Sequence, residues 1–161
     1  IAVVTNGGGF GVLAADAIEE EGMKLAGFSS EAEKLLRETL PDRVNIRNPL
    51  DLVGDADTKR YKDALDIITK ENGVDCILVI VLMQVSTLGS DVIDVITEIY
   101  KDRKKPVVAC SAGGNFTQLH MHVLEKEGIP AYSTPKKAVK AIKALWQYGK
   151  IKDKTKGIYF E

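Results

Sequence analysis

A chain of 161 residues with 45% hydrophobic and 28% charged side chains holds one ordinary domain with a full core, which excludes a disordered or fibrous segment. A formal net charge of −1 offers no general pull towards nucleic acid or anionic membrane, so neither is expected as a partner. There is no signal-like segment and no apolar run of about 18 residues, and Cys76 and Cys110 sit inside apolar runs as reduced core thiols would, which points to the cytoplasm. A disulfide between them would require their strands to pair. The chain starts at Ile1, without methionine and directly on a core strand, as expected of a piece of a longer protein.

The first strand, Ile1 to Val4, runs into a glycine cluster at Gly7, Gly8, Gly9 and Gly11 and then into a helical pattern. Glycines let backbone N–H groups approach a ligand without interference from Cβ. The helix they open has no carboxylate in its first turn, and its acids come late, at Asp16, Glu19, Glu20 and Glu21. Its positive end is therefore left for an outside anion, a phosphate or a carboxylate. Other helix starts read as satisfied from within. Ser30 with Glu33 forms a capping box, Asp57 or Asp55 precedes the Tyr61 helix, Ser90 and Asp91 open the next, and Thr134 with Pro135 the last. A tight connection with glycines placed for packing alone is the plainer reading of the turn, and it predicts no anion there.

Gly22 fits a helix stop, Lys24 to Phe28 a short second strand, and Glu31 to Leu40 a helix with Leu35, Leu36 and Leu40 on one side, ended by Pro41. Val44 to Asp57 has neither periodicity, and Asn48-Pro49 and Gly54-Asp55 mark turns within it. Thr58 to Lys70 is an amphipathic helix, Cys76 to Met83 a strand buried on both faces, and Asp91 to Tyr100 a helix. Pro106 to Cys110 is a fourth strand and Phe116 to Glu127 a helix stopped by Gly128. Ile129 to Tyr132 is a fifth strand, and Pro135 to Gln147 a closing helix with Ala138, Val139, Ile142 and Leu145 inward. Lysines 136, 137, 140 and 143 form its solvated face. Residues 1–148 read as the domain and 149–161 as a polar tail or linker with an Ile158-Tyr159-Phe160 cluster.

This alternation predicts an α/β fold: a flavodoxin-like open parallel sheet of about five strands with helices on both faces. Ligands of such sheets bind at the C-terminal strand edge. Four loops rich in small or amide side chains fall there: Asn6–Gly11, Asn48–Asp55, Gln84–Gly89 and Ser111–Asn115.

None of these loops carries a catalytic set or metal-ligand spacing. His120 and His122 lie two apart on a helix and face different directions, so they cannot share a metal. Asp51 and Asp55 could orient a ligand, or equally shape the turn. Gly9-x-Gly11-x-x-Ala14 matches a dinucleotide fingerprint, but the predicted second strand ends at Phe28-Ser29-Ser30 rather than in an acid. An FMN site would need hydroxyls at the phosphate loop, where Thr5 stands alone, and aromatic platforms. A receiver needs a phosphoacceptor aspartate at a strand end, and the ends are Asn6, Met83 and Ser111.

The stretches TNGGGFGVLAADAIEEEG, NPLDLVGDAD, the apolar strand with VLMQ, KPVVACSAGG and EGIPAYSTPKKAVKAI, in that order, span Ile1 to Tyr148. Together they resemble the second flavodoxin-like domain of the ADP-forming acyl-CoA (acetyl-CoA) synthetases, in the succinyl-CoA synthetase superfamily. The resemblance implies an acid–thiol ligase reaction: acyl-CoA, ADP and phosphate to acid, CoA and ATP, reversibly, through an acyl phosphate and a phosphohistidine. It implies that the helix after the glycine turn points its start at the phosphohistidine. The implied phosphate and acyl pocket comprises Asn6, Gly7, Gly8, Gly9, Phe10, Gly11, Asn48, Pro49, Asp51, Gln84, Ser86, Ser111, Gly113 and Gly114, with no catalytic residue and no metal ligand in this chain. The phosphohistidine, the CoA-binding domain and the ATP-grasp module would be partner domains or subunits. CoA, ATP or ADP, phosphate and Mg would belong to the parent enzyme, none bound tightly here. A fragment of this kind would be inactive alone. The competing reading is a non-catalytic regulatory or nucleotide-sensing module of the same fold.

Overall fold

The structure, a computed structural model, describes residues 1–102 and 105–155, with side chains as far as residue 152. Among the described residues five strands and six helices follow one another, alternating except where α2 succeeds α1 directly: β1 (Ala2–Thr5), α1 (Gly8–Glu20), α2 (Ser30–Thr39), β2 (Leu50–Asp51), α3 (Thr58–Ile68), β3 (Ile77–Ile80), α4 (Val92–Lys101), β4 (Val107–Cys110), α5 (Asn115–Lys126), β5 (Ala131–Tyr132) and α6 (Pro135–Thr155). Every neighbouring pair is parallel and the order is β2-β1-β3-β4-β5, the flavodoxin-like arrangement.

The apolar runs at β1, β3 and β4 are buried at every position because both faces of the sheet are covered. Successive residues serve opposite faces. Val3, Leu78, Ile80 and Val108 pack with Ala14, Ile18, Val139 and Ile142 of α1 and α6. Val4, Ile77, Val79 and Val107 pack with Leu36, Leu65, Ile96 and Leu124 of the other four helices. The sheet order reverses between β1 and β3, so the crevice of the fold opens at their C-terminal ends.

Lys24–Phe28 is not a strand. The Ala26 N–H reaches Ile1 O (2.9 Å), but beyond it the edge of β1 is taken by the Asn48 side chain. Asn48 Oδ1 accepts from Val3 N (2.9 Å), and its Nδ2 donates to Ile1 O (2.7 Å) and Ala26 O (2.9 Å). The second strand is instead Leu50–Asp51, within the stretch expected to be irregular. Two residues are too few to show a period. α6 runs on past Gln147 to Thr155, and its Leu145, expected to face inward, is half exposed. The Ile158-Tyr159-Phe160 cluster lies outside the described residues. Gly22 and Gly128 do stop their helices, with φ of 70° and 87°.

Cys76 and Cys110 are free and buried, and burial raises their thiols to about 11 and about 12. Ile77 pairs with Val107 and Ile80 with Cys110, so the two sulfurs lie at opposite ends of adjacent strands. No disulfide can join them.

Candidate functional site

α1 begins directly off β1, and a buried threonine sets the turn. Thr5 Oγ1 accepts from Gly7 N (3.0 Å) and donates to Gly7 O (3.2 Å). Phe10 N and Gly11 N then close on Gly7 O (2.9 and 3.1 Å). Gly7 at the N-cap has no side chain to offer, and no acid follows in the first turn. Among the described residues the Gly8 and Gly9 N–H groups have no hydrogen-bond partner. They stand where the helix dipole is positive. Gly11 serves another purpose: a Cβ there would lie 3.1 Å from Thr5 Cγ2 and 3.3 Å from Pro49, so its absence lets α1 sit close to the β2 connection.

The late acids of α1 also have a structural explanation. Glu20 pairs with Lys136 (2.9 Å) and Glu21 with Lys143 (2.8 Å), tying the end of α1 to α6. The Lys143 hydrogen bond holds the Glu21 carboxyl below its usual range.

One carboxylate does approach the open helix start, from the neighbouring strand. Asp51 ends β2 beside Thr5, and a Cβ built on Gly8 would lie 2.6 Å from Asp51 Oδ2. The other oxygen, Oδ1, accepts from Val53 N (2.9 Å). Val53 takes φ of 68°, a strained conformation for a β-branched residue. Two arginines brace this loop. Arg60 donates to Leu52 O (2.8 Å) and Asp55 Oδ1 (2.6 Å), and Arg43 to Asp55 Oδ2. The Arg60 and then the Arg43 hydrogen bonds hold the Asp55 carboxyl below its usual range. Asp51 thus sits beside the α1 amides as a fixed negative neighbour, without a hydrogen bond to them.

Much of the remaining predicted set is occupied by scaffolding. Asn6, at the switch point and 2% exposed, accepts from Leu82 N (2.8 Å) and donates to Leu82 O (3.0 Å), so its amide closes the crevice between β1 and β3. Gln84 Nε2 donates to Ala112 O (2.5 Å), and Ser111 Oγ to Val81 O, stitching the β3 and β4 loops together. Asn48 and Pro49 precede β2 and lie below the edge, not on it, with the Asn48 amide spent on backbone. Gly113 sits under Gln84 Nε2 and the Thr117 hydroxyl. Ser86, Gly9 and Gly114 are exposed, while Phe10 is partly buried against the α1–α6 side of the sheet.

The helix starts divide differently from the sequence expectation. Ser29, not Ser30, caps α2 by accepting from Ala32 N (3.2 Å), and Asp57 caps α3 by accepting from Arg60 N (2.8 Å). Asp91 does not cap α4; its carboxylate accepts from Thr58 Oγ1 (2.7 Å). α1 is not alone in being open. α5 follows Gly114 with no capping side chain and no acid in its first turn. That signal stood in the sequence, since no carboxylate occurs between Gly113 and Val123. α1 and α5 both rise from C-terminal strand ends, on opposite faces of the sheet.

The histidines make no chemical pair. His120 Nδ1 meets Phe116 O (2.7 Å), and His122 Nδ1 meets Glu125 Oε2 (3.3 Å), each within α5. Beside them lies a shallow hollow between α5 and β5, which Ser111 and Gly113 line with Gln118, His122 and Tyr132. Among the described residues no group of three or more His, Cys, Asp or Glu could hold a metal ion, and no helix is long and apolar enough to cross a membrane.

Residues 1–154 match the model of the Ligase-CoA domain. The chain is 36% identical over 154 residues to an ADP-forming acetate–CoA ligase I of Archaeoglobus fulgidus, covering 96% of this chain and 22% of that protein. It is 34% identical over 158 residues to the alpha subunit of the ADP-forming acetate–CoA ligase I of Pyrococcus furiosus, covering 97% of this chain and 34% of that subunit. A dinucleotide forming acetyl-coenzyme A synthetase 1 of Ca. Korarchaeum cryptofilum, solved in complex with phosphate and ADP, superposes with a TM-score of 0.85 at 27% identity. That superposition covers 98% of this chain and 35% of the other. This chain, a fragment in length of those relatives, belongs to the Ligase-CoA domain family.

Proposed function

We propose that this chain is the domain of an ADP-forming acyl-CoA synthetase that holds a phosphoryl group at the start of α1. The parent enzyme interconverts acyl-CoA, ADP and phosphate with acid, CoA and ATP, through an acyl phosphate and a phosphohistidine. The observation that carries the reading is the pair of unpartnered N–H groups at Gly8 and Gly9, on a helix with neither cap nor early acid. Fixed donors of this kind stabilise a phosphoryl group without reorganising as charge moves onto it. Nothing on this chain attacks the phosphorus; the nucleophilic histidine comes from another domain. CoA and the adenine nucleotide are likewise handled elsewhere in this reading, with magnesium. The names of the relatives and the phosphate and ADP bound in a related structure support the assignment.

A phosphate titration followed by ¹⁵N NMR tests it. The Gly8 and Gly9 amides should move first and furthest. Uniform small shifts across the surface, or saturation at another helix start alone, would remove the basis of the proposal.

A further inference from the structure

α5 is a helix that the fold leaves largely uncovered. Of its 12 residues only Thr117 and Leu124 are buried, against six of ten in α4. Phe116, Leu119 and Val123 are 58%, 63% and 41% exposed. Their spacing of three and then four residues puts them on one stripe of the helix. A contiguous apolar stripe of this kind marks a contact surface rather than scattered surface hydrophobes.

The length of the relatives leaves ample polypeptide to cover it. This chain accounts for 34% of an alpha subunit and 22% of a longer single-chain ligase, so about two thirds of even the shorter polypeptide lies outside it. The stripe also begins in the first turn of α5, at the same strand edge as the open start of α1. A domain that closes over that edge meets Phe116 at once. We propose that the Phe116–Leu119–Val123 stripe is a docking surface for another domain of the same polypeptide, one presenting an apolar patch. This rests on the reading of the chain as one domain of a larger synthetase, but not on where phosphate binds.

The test uses the full-length protein with Leu119→Cys, and separately Lys34→Cys as a control on the exposed side of α2. Maleimide labelling is read by peptide mass spectrometry, since the natural Cys76 and Cys110 are buried and protonated at neutral pH. Docking predicts at least tenfold slower labelling at position 119 than at position 34, independent of protein concentration. Equal rates in an active synthetase overturn the docking surface while leaving the proposed function standing. Protection that appears only on concentrating the protein assigns the stripe to a second copy and overturns the proposal. Protection that needs an added second polypeptide overturns it equally.

Discussion

α3 and α1 both follow strands of the same sheet and both start at its C-terminal edge, yet their first turns are finished in opposite ways. At α3 the chain supplies everything itself: Asp57 accepts from Arg60 N, and the Arg60 side chain returns to Leu52 O and Asp55. At α1 the N-cap is Gly7, no acid follows, and two N–H groups are left without partners. A side-chain cap is worth about 1 kcal/mol, so α1 forgoes stability that α3 takes. The difference teaches that an open helix start has two ingredients, a missing cap and a missing early acid, which α1 shares with α5, and that glycine alone is neither. Gly11 shows the contrast, since its lack of Cβ is a matter of packing against Pro49.

The comparison can be broken most severely by finishing α1. Gly9→Glu fits sterically, because a Cβ at Gly9 meets nothing within 4 Å. It adds helix propensity and an acid at the positive end, together on the order of 1 kcal/mol of stability. In the full-length enzyme the same change should lower kcat by about 100-fold or more, the scale of losing a fixed donor to developing charge. Thermal unfolding should rise while turnover falls; a fall in both would mean that α1 was simply damaged.

Unfinishing α3 is the reciprocal experiment. Asp57→Ala should cost about 1 kcal/mol in urea unfolding and leave phosphate titration at α1 unchanged. A comparable loss of phosphate binding would erase the distinction between the two helix starts. A smaller effect comes from the carboxylate beside α1. Asp51→Asn removes a fixed negative charge near the Gly8 amide, and phosphate affinity should rise about two- to fivefold, consistent with a charge interaction of a few tenths to 1 kcal/mol at a solvated site. Weaker phosphate binding would assign Asp51 to holding the loop rather than to opposing the anion.

The smallest effect concerns the Arg43–Asp55–Arg60 brace. The Asp55 carboxyl is lowered in the folded state, so its contribution is present above the ordinary carboxylate range and is lost as pH falls through the lowered value. The difference in unfolding midpoint between the native chain and Asp55→Asn should be steady from neutral pH down to about pH 5 and shrink towards pH 3. A difference that grows on acidification would contradict the brace.

Part of this was legible from residues alone. The runs at Ala2–Val4, Ile77–Ile80 and Val107–Cys110 are apolar at every position, as strands covered on both faces are, and their shortness with flanking turn residues let the three central strands be read directly. The two-residue β2 could not, and it displaced the strand expected at Lys24–Phe28. The expected pocket fared unevenly for a related reason. Asn6, Asn48, Gln84 and Ser111 advertise hydrogen-bonding capacity, but composition does not say whether a ligand or the backbone uses it.

What the linear chain determined was periodicity and local chemistry: the alternation of strands and helices, the glycine stops at Gly22 and Gly128, and an α1 start without cap or acid. These depend on residues within one turn or one strand of each other. Only the folded arrangement decided which amides are used up in stitching loops, that Asp51 leans on Gly8, and that α5 keeps an uncovered apolar stripe. Those are contacts between residues tens of positions apart, and parallel crossover connections set them.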